Sequence, residues 1–291
     1  MRILVTGANG QLGSELLRIL SKQGHTVIGT ARDITSLPAL PGVSYQVLDL
    51  TDTDRIFTVL AAAAPEAVMH CASYVAVDRA EEERELCYLT NETATECIAT
   101  YCGTHDIPLL YTSTDYVFDG SGNRPWTVAD TPNPLNVYGA SKYAGELAVA
   151  RHTQKHFIVR ICWTYAKNSK NFVNTMLSLA KSRDNVSVVT DQFGAPTYVP
   201  DLAALLSEMI TTDRYGLYHA ANEDYCSRYE FTKEIYKLVG ISVPVLPMET
   251  TDYPGKARRP KNCRFDTSSL TENGFARLPS WQDGLQRFFK D

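Results

Sequence analysis

Three glycines directly after the first predicted strand constrain the fold of this 291-residue chain more than any other feature. Ile3, Leu4 and Val5 form a short apolar run, and the pattern GxxGxxG follows it at residues 7–13, where a helical stripe of leucines begins. Glycines at this spacing allow a tight turn and close approach of the backbone to a pyrophosphate, while the helix start offers free N–H groups. This order of strand, turn and helix predicts a dinucleotide-binding βαβ unit.

Short β-rich runs alternate with helical patterns through residues 1–165. This alternation predicts a parallel sheet covered by helices on both faces, which is a Rossmann-type, doubly wound α/β fold. Further strands are predicted at residues 25–30, 45–48, 67–70, 109–112 and 157–160, and helices at 11–23, 52–64, 86–104 and 140–153.

The pattern loosens after residue 165, where helical stripes alternate with short apolar pieces at 186–189 and 243–246. Residues 166–291 are therefore expected to form a smaller α+β substrate-binding region that closes over one end of the sheet. The boundary is approximate, and the two regions are expected to interleave.

Composition excludes several classes of function. The formal net charge of −5 argues against a nucleic-acid or membrane-surface binder. No apolar run reaches the ~18 residues of a membrane helix, and the first residues give no signal peptide, so we expect a cytoplasmic protein. The seven cysteines are scattered without a CxxC pair, which favours reduced thiols over a disulfide framework or a metal site.

The dinucleotide is expected to contact the turn and the ends of the next strands. The second strand ends in Thr30-Ala31-Arg32, and an arginine there suits the 2′-phosphate of NADPH, although Asp33 leaves NADH as an alternative. Asp49 and Leu50 could meet the adenine, with a helix N-cap equally open for Asp49. The turn residues expected to bind the cofactor are Gly7, Asn9, Gly10, Gln11, Leu12 and Gly13.

Tyr138 and Lys142 lie four residues apart and therefore on one face of a predicted helix. A nearby cation stabilises a phenolate and lowers the pKa of a tyrosine, which is ordinarily about 10. Thr114 follows the predicted strand at 109–112, and ligands bind at the carboxyl ends of strands in such sheets. The three residues predict a catalytic site; the alternatives are an exposed helix pair and an ordinary turn hydroxyl.

Several segments together resemble the extended short-chain dehydrogenase/reductase family, namely 6–13, 112–120 and the Tyr138-x3-Lys142 pair. Within that family the chain resembles the dTDP-4-dehydrorhamnose reductases at residues 70–81, 113–120, 138–146, 160–165, 191–197 and 259–262. The resemblance implies reduction of the 4-keto group of dTDP-4-dehydro-β-L-rhamnose by NADPH, with NADH as the alternative cofactor. That reaction is the last step of dTDP-L-rhamnose synthesis for cell-surface polysaccharide.

The resemblance also implies roles for individual residues. Thr114, Tyr138 and Lys142 would be catalytic; Thr114 would also contact the substrate, and Tyr138 and Lys142 the cofactor. The basic stretch at 256–264 would fold over the substrate diphosphate and bring Arg259 to it, unless that stretch is a solvated loop. Further cofactor contacts are implied for Cys71, Ala72, Ser73, Tyr74 and Asn91, and further substrate contacts for Tyr74, Val75, Asp115, Tyr116 and Trp163.

Two features of the family are not carried over. Ser73 stands where the family usually has alanine, which is a small change. Some members pair through a magnesium ion held by carboxylates; we predict no metal site here, and a homodimer is left open.

Two other functions are considered. An epimerase or dehydratase acting on a related nucleotide sugar is one, but Thr114 is followed by Asp115 and Tyr116 rather than by the two carboxylates of a dehydratase. The other is a non-catalytic, regulatory nucleotide-binding subunit, because a regulatory subunit of methionine adenosyltransferase in animals resembles the same family.

Overall fold

The computed structural model describes residues 1–167 and 169–290. In chain order its strands are β1 (Arg2–Thr6), β2 (Thr26–Ala31), β3 (Val43–Val47), β4 (Ala67–His70), β5 (Leu109–Thr114), β6 (His156–Ile161), β7 (Thr164–Tyr165), β8 (Val186–Val189), β9 (Phe193–Gly194), β10 (Thr197–Tyr198), β11 (Gly216–Ala220), β12 (Asn222–Glu223), β13 (Cys226–Ser227), β14 (Val245–Met248), β15 (Asn262–Cys263) and β16 (Leu278–Ser280).

The helices follow the strands in the alternating pattern that the sequence predicts. They are α1 (Gln11–Lys22), α2 (Thr53–Ala63), α3 (Val77–Ala80), α4 (Arg84–Tyr88), α5 (Ala94–Thr104), α6 (Val137–His152), α7 (Phe172–Ala180), α8 (Val199–Met209), α9 (Arg228–Leu238), α10 (Ser268–Glu272) and α11 (Trp281–Lys290). A π-helical segment at Leu89–Thr93 joins α4 to α5.

A seven-stranded sheet in the order β11-β6-β5-β4-β1-β2-β3 forms the centre of the molecule. All of its pairings are parallel, and every residue of β4 and β5 is buried. Strands covered on both faces are typical of a parallel sheet. The predicted doubly wound fold is confirmed, and the strand order reverses between β1 and β4, where such sheets open a crevice for ligands.

Separate apolar layers cover the two faces. On one face, Leu16 and Leu20 of α1 pack with Leu202 and Leu206 of α8 against the sheet. On the other face, side chains of α2, α5 and α6 form a second buried cluster that includes Leu60, Ile98 and Val149. The sheet is thus fixed from both sides, and the carboxyl ends of its strands stay free for a site.

Residues after 165 contribute to the central sheet as well as to a smaller region. β11 pairs with β6, and α8 packs on α1, so 199–220 belong to the large layer. A separate cluster contains Phe231, Trp281 and Phe288. The boundary at 165 does not divide the sheet from the rest of the chain, and the domain limits stay a prediction.

Helix α6 begins at Val137, three residues earlier than expected. The side chain of Asn136 accepts a hydrogen bond from the Gly139 N–H at 2.8 Å and caps the helix. Asparagine is a preferred N-cap residue. The cap places Tyr138 within the first turn of α6, at the edge of the sheet.

None of the described helices is long and apolar enough to cross a membrane. All seven cysteines carry free thiols.

Gly103 allows α5 to approach the end of α6. A Cβ atom there would lie 1.9 Å from the carbonyl oxygen of His152, so an alanine must push two backbones apart. We expect Gly103→Ala to lower the free energy of unfolding by about 1–3 kcal/mol, measured by urea denaturation. Thr104→Ala, at the exposed next position, is the control and should change it by about 0.5 kcal/mol or less. Unchanged stability of Gly103→Ala would contradict this close approach.

Candidate active site

A cleft of about 970 Å³ opens at the carboxyl ends of the central strands, beside the point where the strand order reverses. It brings together twenty of the residues predicted to form the site, namely Gly7, Asn9, Gly10, Gln11, Leu12, Gly13, Arg32, Asp49, Leu50, Cys71, Ala72, Ser73, Tyr74, Val75, Thr114, Asp115, Tyr116, Tyr138, Lys142 and Trp163. Asn91 and Arg259 are not among its lining residues.

The glycine turn leaves the start of α1 open to an anion. Gly7 has a φ of +75° and accepts a hydrogen bond from the Gly10 N–H at 2.8 Å. A Cβ at Gly13 would lie 2.1 Å from the Gly7 carbonyl oxygen, so the helix can approach the turn only without a side chain. No side chain caps α1 and its first turn has no acidic residue. Its free N–H groups and dipole therefore suit a pyrophosphate.

The ends of β2 and β3 border the cleft, and Arg32 is the cationic residue that they place in its lining. Arg32 is exposed and lines the cleft, whereas Asp33 is outside it and accepts hydrogen bonds from the Thr35 N–H and hydroxyl at 2.9 and 2.7 Å. These bonds lower the pKa of Asp33 and hold its carboxylate in a local turn. The geometry thus favours a 2′-phosphate at Arg32 over a ribose at Asp33.

Asp49 does not cap a helix. Its carboxylate accepts hydrogen bonds from the Thr51 N–H and hydroxyl at 3.0 and 2.9 Å, while the N-cap of α2 is Asp52, which accepts from the Arg55 N–H. The N-cap alternative for Asp49 is therefore wrong. Asp49 lines the cleft, and its contact with the adenine stays a prediction.

Asn91 connects the loop after β4 to α6. Its carbonyl oxygen accepts from the Ser73 hydroxyl at 2.9 Å and the Tyr74 N–H at 2.7 Å. Its amide donates to the Tyr74 carbonyl at 3.1 Å and the Ser141 hydroxyl at 2.9 Å. These four bonds use the full capacity of the side chain, which is 1% exposed. Asn91 therefore positions the loop, and a direct contact with the cofactor stays a prediction.

Tyr138 and Thr114 meet where α6 passes the end of β5. A hydrogen bond between their hydroxyls lowers the pKa of Tyr138, but burial has the larger effect and raises it above the ordinary value. The phenol is thus neutral near pH 7 and has a proton to donate. Burial is the largest effect on this pKa, and a lowering of it by Lys142 stays a prediction.

Lys142 lies one turn after Tyr138 and is 2% exposed. Its Nζ is 4.1 Å from the centre of the Tyr111 ring, and it has no hydrogen-bond acceptor among the described residues, so its N–H donors are free for a ligand. Burial lowers the pKa of Lys142 to about 7, against the opposing charge of Glu146. The lysine is therefore poised between its two protonation states near neutral pH.

A buried ion pair behind the site was not anticipated from the sequence. Arg160 of β6 donates to both oxygens of Glu146 on α6, at 2.9 and 2.7 Å, and Ser113 of β5 donates to the same carboxylate at 2.5 Å. Glu146 could have been found, because it continues the helical face of Tyr138 and Lys142 at spacings of eight and four. Its partner Arg160 has no such local signal.

Asp115 presents an unpaired oxygen. The residue is 4% exposed; its Oδ1 accepts from the Thr114 hydroxyl at 3.1 Å, and its Oδ2 has no partner. Burial raises the pKa of this carboxyl. The Cys263 thiol lies close enough to this carboxyl to oppose the rise in its pKa, and Asp115 itself is among the residues that line the cleft.

No residue of the basic stretch at 256–264 lines the cleft, although the positive charge of Arg259 opposes the burial-driven rise in the pKa of Tyr116. Three side chains of this stretch form ion pairs with acidic residues from other parts of the chain, and the diphosphate contact of Arg259 stays a prediction. The pairs are Lys256 with Glu82, Arg259 with Asp78 at 2.6 Å and Lys261 with Asp191 at 2.7 Å. Asp78, Glu82 and Asp191 are far from this stretch in sequence, so no local pattern indicates the pairing.

Trp163 and Arg228 form the outer wall of the cleft. The Arg228 guanidinium lies 3.6 Å from the centre of the Trp163 ring and 4.7 Å from that of Phe172. Trp163 was predicted, but Arg228 was missed because it is 65 residues away and in no motif. Among the described residues no group of three or more His, Cys, Asp or Glu side chains is placed to hold a metal ion.

All 291 residues match the model of the RmlD substrate binding domain family. The chain belongs to this family. It is 35% identical to dTDP-4-dehydrorhamnose reductase of Escherichia coli K12 over all of this chain and 98% of that protein.

Solved structures of proteins named dTDP-4-dehydrorhamnose reductase have the same architecture as this chain. The chain superposes on dTDP-4-dehydrorhamnose reductase of Bacillus anthracis in complex with NADP with a TM-score of 0.92 and 40% identity, over 99% of this chain and 98% of that one. For the ortholog of that reductase from Clostridium acetobutylicum the TM-score is 0.91 and the identity 33%, over 100% and 99% of the two chains.

Lys142 should give this family member a pH-dependent stability. Its pKa is about 7 when folded and 10.5 ordinarily, so the unfolded chain binds more protons between these values and the free energy of unfolding rises with pH. We expect the difference between wild type and Lys142→Met to rise by up to about 1.4 kcal/mol per pH unit above about pH 7. Urea denaturation of the cofactor-free protein measures it.

Lys181→Met, at an exposed position after α7, is the control for this experiment and should leave the slope as in wild type. If the free energies of unfolding of wild type and Lys142→Met differ by the same amount at every pH in this range, the lowered pKa of Lys142 is contradicted.

Proposed function

We propose that the protein reduces the 4-keto group of dTDP-4-dehydro-β-L-rhamnose to give dTDP-L-rhamnose, with NADPH as the reductant. One observation carries the proposal: Thr114, Tyr138 and Lys142 line the same cleft as the glycine turn. The chain is also 35% identical over its full length to a protein named dTDP-4-dehydrorhamnose reductase, which supports this choice of substrate.

The residues that would hold the cofactor fit a phosphorylated dinucleotide. The uncapped start of α1 would bind the pyrophosphate, Arg32 the 2′-phosphate, and Asp49 with Leu50 the adenine side. The loop of Cys71, Ala72, Ser73 and Tyr74 would border the nicotinamide ribose, where the free donors of Lys142 can bind hydroxyls. NADPH supplies a hydride when it is bound in this cleft.

The chain's own residues would control the proton and the carbonyl. Tyr138 donates its proton to the sugar oxygen as charge develops there, since burial keeps the phenol protonated. Thr114 hydrogen-bonds the same oxygen and fixes it beside Tyr138. Donors placed in advance around a desolvated oxygen stabilise the developing charge without reorganisation.

The substrate side of the cleft would bind the sugar and the nucleotide. Asp115 offers its unpaired oxygen to a sugar hydroxyl, and Tyr74, Val75, Tyr116 and Trp163 supply the walls. Val75 is 66% exposed, so its side chain is accessible to a ligand in the cleft. We place the reaction in the cytoplasm, where free thiols are stable, and leave a homodimer open.

Tyr138→Phe should remove most turnover. Loss of a general acid reduces rates by about 10²–10⁴-fold, while the glycine turn and Arg32 are untouched, so NADPH should bind as in wild type. Nicotinamide absorbance with dTDP-4-dehydrorhamnose made in situ measures turnover, and protein fluorescence measures cofactor binding. Tyr143→Phe, on the same helix but outside the cleft, is the matched control. Near-normal turnover in Tyr138→Phe would contradict the assignment.

Arg32→Ala should change the choice of cofactor. Removing the guanidinium takes away a charge-assisted contact of about 1.5–3 kcal/mol, so KM for NADPH should rise roughly 10–100-fold while KM for NADH stays within about twofold. Asp33→Asn tests the alternative, because it alters only the carboxylate held by Thr35 and should leave both constants unchanged. A rise for NADH in Asp33→Asn would favour the ribose-binding alternative.

A further inference from the structure

The proposed substrate brings a diphosphate into a protein whose net charge is −5. A buried or half-buried diphosphate needs a cation, and no residue of the stretch at 256–264 lines the cleft. The cationic residues that line the cleft are Arg32, Arg79, Lys142, Lys170 and Arg228.

Two of these residues lie on the cofactor side. Arg32 ends beside β2, and Lys170 follows Ser169, whose hydroxyl donates to the Gln11 side chain of the glycine turn at 3.1 Å. Their positions suit the phosphates of the dinucleotide.

Two more do not lie free on the substrate side. Arg79 forms an ion pair with Glu83. Lys142 keeps free donors, but it is buried one turn after Tyr138 at the reacting end of the cleft. Within the described residues this leaves Arg228 as the unpaired cation on the substrate side.

Arg228 is held by its flat face and keeps its edge free. The guanidinium stacks on Trp163 at 3.6 Å and on Phe172 at 4.7 Å, yet neither a carboxylate nor another acceptor binds its N–H groups among the described residues. Stacking uses the face of a guanidinium, whereas hydrogen bonds leave it in the plane. The two interactions are therefore compatible, and the donors remain available for oxygens in the cleft.

Both parts of the stack are fixed before any ligand arrives. Arg228 begins α9, whose start is closed by a capping box between Ser227 and Glu230. Trp163 has a φ of +44°, and a Cβ at Gly194 would lie 2.8 Å from its ring, so the ring is wedged between Gly194 and the guanidinium. A strained residue held in this way is typical of a ligand-binding position.

The position of Arg228 also suits the length of the substrate. Its positive charge opposes the burial-driven rise in the pKa of both Asp115 and Tyr116, so the guanidinium lies near the segment that follows Thr114. A sugar held at Thr114 and Asp115 would have its attached phosphates on this side of the cleft.

We propose that Arg228, stacked on Trp163, binds the diphosphate of the nucleotide sugar and makes the site specific for a nucleoside diphosphate over an uncharged nucleoside or sugar. This assignment rests on the proposed function, because that function puts a diphosphate in the cleft. It gives Arg228 a role in binding and leaves proton transfer to Tyr138.

Titration calorimetry on the NADPH-bound protein tests the assignment with dTDP and thymidine as probes. In Arg228→Ala and Arg228→Gln, dTDP should bind about 10–100-fold more weakly, as expected for the loss of a charged hydrogen-bonded contact. Affinity for thymidine and for NADPH should stay within about twofold. Arg228→Lys should recover part of the dTDP affinity, since it restores the charge without the planar fork.

Arg264→Ala is the matched control, because Arg264 also lies over an aromatic ring, that of Phe193 at 4.3 Å, but outside the cleft. It should leave dTDP binding unchanged. Equal losses for dTDP and thymidine in Arg228→Ala would overturn the proposal, since they would indicate collapse of the Trp163 wall. Unchanged dTDP affinity in both Arg228 variants, or no binding of dTDP by wild type, would overturn it as well.

The two proposals fail in different ways. Tight binding of dTDP that depends on Arg228, combined with no NADPH oxidation in the presence of the keto sugar, would refute the proposed reaction and leave the diphosphate site standing. Turnover of the keto sugar that is indifferent to Arg228 would refute the diphosphate site alone.

Discussion

The buried ion pair between Glu146 and Arg160 holds α6, which carries Tyr138 and Lys142, in its place on the sheet. It joins α6 to β6, and Ser113 adds β5 to the same carboxylate. Removing one partner of such a pair leaves an uncompensated buried charge at a cost of about 3–5 kcal/mol, so the three elements keep a single arrangement. Thr114 is the next residue along β5, and Lys142 is one turn before Glu146. The relative positions of Thr114, Tyr138 and Lys142 therefore depend on an ion pair that does not line the cleft. His219 packs beside Arg160 on the far side of this pair, and burial lowers the pKa of His219 to about 3, so that its ring stays neutral next to the guanidinium.

The parallel sheet explains why residues from distant parts of the chain line one cleft. Every β-strand of the central sheet ends at the same edge, so the glycine turn after β1, Arg32 after β2 and Thr114 at the end of β5 lie along one crevice. α6 then adds Tyr138 and Lys142 from above the sheet. The chain after β6 completes the other wall through Trp163 and Arg228. The residues predicted to bind the cofactor thus come from the first half of the chain, and the wall proposed to bind the substrate comes from the second.

The sequence predicted those parts of the cleft whose structure depends on residues close together in the chain. The GxxGxxG turn, the alternation of strands and helices, and the spacing of Tyr138 and Lys142 each depend on residues within a few positions of one another. The start of α6 could have been placed correctly, since Asn136 is a preferred cap. The remaining features depend on pairings across the fold: β11 beside β6, Asp78 with Arg259, and Arg228 on Trp163. No period or motif specifies such pairs, and a basic stretch looks the same whether its partners are phosphates or carboxylates.

Burial has a common effect on the ionisable groups at the reacting end of the cleft. It raises the pKa of Tyr138 and of Asp115 and lowers that of Lys142, so each is shifted toward its neutral form. A reductase needs its tyrosine protonated before the carbonyl accepts charge, and these shifts suit that direction of reaction better than oxidation, which begins from a phenolate. The same desolvation would penalise a diphosphate placed there. A substrate with both a reactive carbonyl and two phosphates is therefore best held with its phosphates at the outer wall. Among the described residues that line the substrate side of the cleft, Arg228 has the one guanidinium without an acidic partner.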